Sequence, residues 1–159
     1  DWAPSGTDLV FADAPGYNAG YSVFLIRRVN ALTGVVSLIF DGGLEPVYSP
    51  SGAEIAFRGW TSSSHGAQAP GIYAVRPDGS GLRMIVKDNQ WMTNYNPSWS
   101  PNGASLAFNR QTTTYDRKSA YYYTYTHDIL SAPSAGGNGA KVTNLTADIA
   151  AYVLLTGWR

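Results

Sequence analysis

The chain has 159 residues, with 11 Lys and Arg balancing 11 Asp and Glu, and it contains no cysteine. That length supports one domain whose core needs neither disulfides nor a structural metal, and thiol chemistry is excluded. A neutral chain lacks the basic footprint of a nucleic-acid or anionic-lipid binder, and no apolar run approaches the roughly 18 to 20 residues that span a bilayer. Charged residues make up 14% and aromatic residues 13%; soluble domains usually carry about 25% charged residues, so part of this surface is expected to be covered by something other than water.

In chain order, Trp2-Ala3-Pro4-Ser5-Gly6-Thr7-Asp8-Leu9-Val10-Phe11 predicts a very short strand, a tight turn and a second strand. Proline sets the turn's second residue, and glycine supplies the positive φ that follows. Two more strands are predicted at Tyr21 to Ile26 and Val35 to Phe40, joined across Asn30 to Gly34. The opening pattern returns as Pro46-Val47-Tyr48-Ser49-Pro50-Ser51-Gly52-Ala53-Glu54-Ile55-Ala56-Phe57, 46 residues later. It is followed by Ile72 to Val75 and Leu82 to Val86, across the turn Pro77-Asp78-Gly79-Ser80-Gly81. A third copy, Pro97-Ser98-Trp99-Ser100-Pro101-Asn102-Gly103-Ala104-Ser105-Leu106-Ala107-Phe108, stands 51 residues beyond the second. Its further strands are predicted at Ile129 to Ala132 and Val142 to Leu145. The aromatic residue, Pro, Gly and Phe keep register in all three copies, and each unit then holds four antiparallel strands, the size of a propeller blade.

The run of Pro, Trp or Tyr, Ser, Pro and Gly, then Ile-Ala-Phe, Ile72-Tyr73 and the Asp78-Gly79 turn, resembles the TolB-type, WD-like β-propeller repeat. The resemblance covers residues 1 to about 146. It departs from the usual pattern in the residue before the turn glycine, where Ser5, Ser51 and Asn102 replace aspartate. The fold expected is all-β, with blades at 1–44, 45–88 and 89–146 and a remaining segment, 147–159, that reads as a strand, the start of a further repeat, or an amphipathic helix. Closed propellers need at least four blades, and the resemblance implies six. Two readings follow: a half-propeller that a second copy of the chain completes as a homodimer, or a propeller fragment of a larger protein. The resemblance also favours a periplasmic or secreted location.

Alternate strand connections share a face. One face has tight turns; the other is predicted to carry long loops at Gly59 to Gly71, Lys87 to Asn96 and Arg110 to His127. Longer, chemically richer loops usually hold the binding residues. The expected ligand-binding set is Arg58, Trp60, His65, Trp91, Tyr95, Arg110, Tyr115, Tyr121, Tyr123 and His127. The alternation of Tyr and Thr from Tyr123 to Thr126 reads as an extension of the third strand, with one face packed and one wet. No catalytic set, metal site or cofactor is expected, because no Gly-x-Ser-x-Gly elbow or phosphate cradle is present. The resemblance implies a non-catalytic module for a protein or peptide segment. The alternative is a carbohydrate-active or metal-dependent enzyme domain that would use His65 and His127.

Overall fold

The computed structural model describes residues 1–18, 21–60, 69–117 and 123–142. Eleven strands are found among them: β1 (Asp8–Asn18), β2 (Tyr21–Asn30), β3 (Val36–Asp41), β4 (Gly43–Tyr48), β5 (Ile55–Gly59), β6 (Gly71–Val75), β7 (Arg83–Lys87), β8 (Met92–Trp99), β9 (Ser105–Tyr115), β10 (Tyr123–Pro133) and β11 (Ala140–Lys141). They form three antiparallel sheets in the orders β1-β2-β3, β4-β5-β6-β7 and β8-β9-β10-β11. In the first sheet the predicted short opening strand is reduced to a single bridge, Trp2 to Leu9. The described residues contain no helix, so none is long and apolar enough to cross a membrane.

The repeated turn has one geometry in all three sheets. The N–H groups of Gly6, Gly52 and Gly103 each donate to the carbonyl three residues back, of Ala3, Ser49 and Ser100, at 2.8 Å. The three glycines have φ of 72°, 74° and 69°, a region that costs side-chain-bearing residues about 1 kcal/mol or more. Ser49 Oγ accepts from the Glu54 N–H at 3.1 Å, and Ser100 Oγ accepts from the Ser105 N–H at 3.0 Å. Ala3 holds the equivalent place in the first sheet and has no hydroxyl.

Period-two alternation on β5 sends Ile55 and Phe57 to one side and Ala56 to the other, so the middle sheet is packed on both faces. Val10, Ile26, Phe40, Ile55, Phe57, Tyr73 and Val75 fill the junction of the first two sheets. Ala56, Ile72, Val86, Trp99, Leu106, Phe108 and Leu130 fill the second junction. Each large side chain removed from water there contributes about 1.5 to 3 kcal/mol.

Polar bonds fix how one sheet sits on the next. Arg83 on β7 grips the Glu54 carboxylate with Nε at 3.0 Å and Nη2 at 2.8 Å, and also donates to the Ser134 carbonyl of the third sheet. The Gly137 N–H donates to Ile85 C=O at 3.1 Å, and Trp99 Nε1 to Val47 C=O at 3.3 Å. Bulges interrupt β4 between Leu44 and Val47 and β8 between Tyr95 and Ser98. Each holds a non-glycine residue at positive φ, Glu45 at 57° and Asn96 at 51°. The Glu45 carboxylate accepts the Asn96 N–H at 2.5 Å, so one strained bulge stabilises its counterpart in the next sheet.

Candidate functional site

Register places a cross-strand row at the long-loop end of each complete sheet. In the middle sheet the row is Gly43, Gly59 and Gly71. A Cβ on Gly59 would lie 2.9 Å from both the Phe57 and Tyr73 rings, so the missing side chain leaves these aromatics room to pack. The corresponding row of the third sheet is Asn94, Arg110 and Asp128. Three small positions in one blade are thus three polar ones in the next, on the face turned toward the middle sheet.

That polar row organises a buried network. Asp88, 8% exposed, follows β7 and accepts from the Asn94 N–H at 3.0 Å and from Asn94 Nδ2 at 2.6 Å, both through Oδ1. Asn94 Oδ1 accepts from Arg110 Nε at 2.8 Å. Burial raises the Asp88 carboxyl above its ordinary range, while the Asn94 bonds and the Arg58 and Arg110 charges pull it back. Burial likewise lowers Arg110, against the opposing pull of Asp88 and Asp128. Asp128 is paired in turn with Lys141 at 3.0 Å.

Arg58 stands on the opposing face of the middle sheet. Its guanidinium lies 5.9 Å from the Trp60 ring centroid, and Phe24 meets Trp60 edge-on at 5.7 Å and 84°. Between this stack and the network lies a cavity of about 400 Å³ lined by Arg58, Ala69, Pro70, Lys87, Asp88, Asn89, Gln90 and Thr93. Its wall is pinned by the Asp88 N–H donating to Pro70 C=O at 2.9 Å and by the Tyr73 hydroxyl donating to Ala69 C=O.

The predicted site residues divide into separate groups. Arg58, Trp60 and Arg110 belong to the junction just described. Tyr95 and His127 meet on the other face of the third sheet, where the Tyr95 hydroxyl and His127 Nδ1 are 2.8 Å apart. Tyr115 pairs with Tyr123 at the far end of the β9–β10 hairpin, with ring centroids 5.4 Å apart. They lie five residue steps along the strands from the Arg110 row, roughly 17 Å at 3.4 Å per residue. Trp91, 43% exposed, sits at the turn into β8. His65 and Tyr121 lie outside the described residues.

Two predicted loops are corrected. The segment Arg110 to His127 is mostly strand, since β9 runs on to Tyr115 and β10 starts at Tyr123. His127 is therefore a strand residue, 8% exposed, and does not lie on a loop. Lys87 to Asn96 shortens to residues 88–91, because β8 begins at Met92. Thr and Tyr at alternate positions extend the hairpin ladder, which satisfies backbone groups that a loop would leave to water. Sequence reasoning missed Asp88, Asn94 and Lys87. A signal was present for Asn94: at the repeat spacing of 51, Asn94 and Arg110 replace Gly43 and Gly59. Among the described residues no cluster of three His, Cys, Asp or Glu could hold a metal ion.

No protein-family model and no curated protein matches the chain. Solved structures do. A putative TolB from Agrobacterium tumefaciens is similar over 89% of this chain and 47% of its own, with 24% identity and a TM-score of 0.63. TolB from Acinetobacter baumannii is similar over 92% of this chain and 32% of its own, with 17% identity and a TM-score of 0.59. The three sheets are β-propeller blades, with the fold seen in these TolB structures. The chain spans less than half the length of these propeller proteins. An oligogalacturonate lyase in complex with manganese shares the fold over 79% of this chain and 32% of its own, at 20% identity and a TM-score of 0.52. In propeller terms, the cavity sits between the second and third blades, on the face opposite the tight turns.

Proposed function

We propose that the chain is a non-catalytic propeller module that binds a protein or peptide segment on its long-loop face. The observation that supports this reading is the cavity between two blades, with Arg58 on its wall against the Trp60 ring, and the exposed rings of Trp91, Tyr115 and Tyr123 on the same side of the molecule. Aromatic and arginine side chains bury large area at low entropy cost and dominate binding hot spots. The rival reading, a metal-dependent carbohydrate-active domain, is not favoured by His127, which is 8% exposed and lies on the face of the third sheet turned away from the cavity. A phage-displayed peptide selection tests the proposal. A consensus should emerge whose affinity falls at least tenfold in Trp60→Ala and is unchanged in Leu32→Ser, which alters the opposite face. No consensus, or equal losses in both variants, overturns it.

The same reading includes a second copy of the chain. The outer face of the first sheet carries Leu9, Val29 and Val36 in one row and Phe11, Arg27 and Leu38 in the next. Leu38 is 56% exposed and Val36 48%, an apolar flank of the kind that blades cover with a neighbour. Two half-rings related by a two-fold would cover it and close six blades. Sedimentation should give about 34 kDa, twice the 17.1 kDa chain mass, and Leu38→Asp should halve it. A folded species at the single-chain mass removes the two-chain ring.

A further inference from the structure

Three charged side chains, Arg58, Lys87 and Asp88, line the cavity between the second and third blades. Arg58 rests on Trp60 and makes no hydrogen bond or ion pair among the described residues. The exposed Lys87 side chain makes no ion pair with a described residue. Asp88 uses Oδ1 for both bonds from Asn94, and no described residue donates to Oδ2. Two cations without a hydrogen bond or ion pair to a described residue, and a carboxylate whose Oδ2 accepts from none of them, therefore line one cavity of about 400 Å³.

We propose that this cavity is a subsite for an acidic side chain of the bound peptide, whose carboxylate is held by Arg58 and Lys87 while a peptide N–H donates to Asp88 Oδ2. The inference rests on the peptide-binding reading above and names the residue class it would select. A planar guanidinium matches a carboxylate through two parallel N–H···O bonds. Asp88 supplies the one acceptor such a ligand needs, and its negative charge disfavours a phosphate dianion over a carboxylate monoanion. The parts are held in advance: Trp60, itself packed edge-on by Phe24, seats the guanidinium, Asn94 locks the carboxylate, and Pro70 C=O holds the Asp88 backbone. Preorganisation of this kind lowers the ordering cost of binding.

Nuclear magnetic resonance of the full ¹⁵N-labelled chain tests the subsite with single-residue probes. N-acetyl-glutamate N-methylamide should shift the Arg58 Nε–H and the Asn89 and Gln90 side-chain amides saturably. The glutamine analogue and inorganic phosphate should each bind at least tenfold more weakly. Arg58→Gln should abolish the preference for glutamate. Lys87→Gln, a change at an exposed side chain that leaves the core intact, should weaken the glutamate probe about threefold. Equal shifts with glutamate and glutamine probes, tighter binding of phosphate, or shifts that map elsewhere overturn the assignment. The probe is one residue, so a failed peptide selection with a selective glutamate response would overturn only the wider reading, and the reverse pattern only the subsite.

Discussion

Gly71 tests the register of the middle blade and its link to the cavity. Its φ lies outside the left-handed region, so alanine is allowed there by backbone conformation. Space is the obstacle: a Cβ would lie 2.2 Å from Val86 O and 3.2 Å from Lys87 Cα. An ordinary carbon to oxygen contact is about 3.3 Å, so β7 must move away by roughly 1 Å. Both close atoms are backbone and cannot rotate aside. The shift strains the Gly71 to Lys87 pairing and the bond from the Asp88 N–H to Pro70 C=O. Two weakened bonds at about 1 kcal/mol each, with about 1 kcal/mol of overpacking, outweigh the roughly 0.4 to 1 kcal/mol gained from a stiffer unfolded chain. The expected net loss for Gly71→Ala is about 2 to 3 kcal/mol, or a Tm lower by about 4 to 12 °C for a domain of this size. Urea unfolding supplies the free energy and calorimetry the Tm. Gly34→Ala is the control: its φ is 71° and no atom lies within 4 Å of the added carbon, so only the backbone cost of about 1 kcal/mol applies. A Gly71→Ala protein as stable as wild type, or no worse than the control, would refute the steric reasoning.

Three further outcomes are expected. Burial holds the Asp88 carboxyl above its reference value of 3.8, so stability linked to its protonation is fully present below that value and lost as pH rises through the raised one. The Tm of wild type should therefore gain on that of Asp88→Asn as the solution is acidified from neutral toward 3.8, and a constant difference would remove the buried-carboxylate account. Ser49→Ala and Ser100→Ala should each cost about 1 kcal/mol in urea unfolding by leaving a turn N–H without its acceptor, whereas Ala3→Ser should be neutral or stabilising. Arg83→Met should cost about 1 kcal/mol, because its ion pair with Glu54 is partly exposed and screened; a salt titration should shrink the difference.

The blade repeat was legible because its information is local. Proline and glycine specify a turn within four residues, and alternation around Ile55-Ala56-Phe57 and Leu106-Ala107-Phe108 specifies strands. The ends of β9 and β10 were less so, since the Tyr and Thr residues there suit a loop or an exposed strand. Only cross-strand pairing distinguishes the two, and pairing is a long-range property. The candidate site was only partly legible: Arg58, Trp60 and Arg110 lie at the junction of the second and third sheets, while Tyr95 and His127 turn to the other side of the third sheet.

By itself the sequence determined that the chain is built of blades, because each turn and strand is encoded within a dozen residues and the code recurs at spacings of 46 and 51. Tertiary structure alone decided that Asp88, Asn94 and Arg110 form one network beneath a cavity walled by Arg58 and Lys87. Those residues come from two sheets, and their meeting depends on register and on how one blade face lies against the next. Neither is written in any single segment.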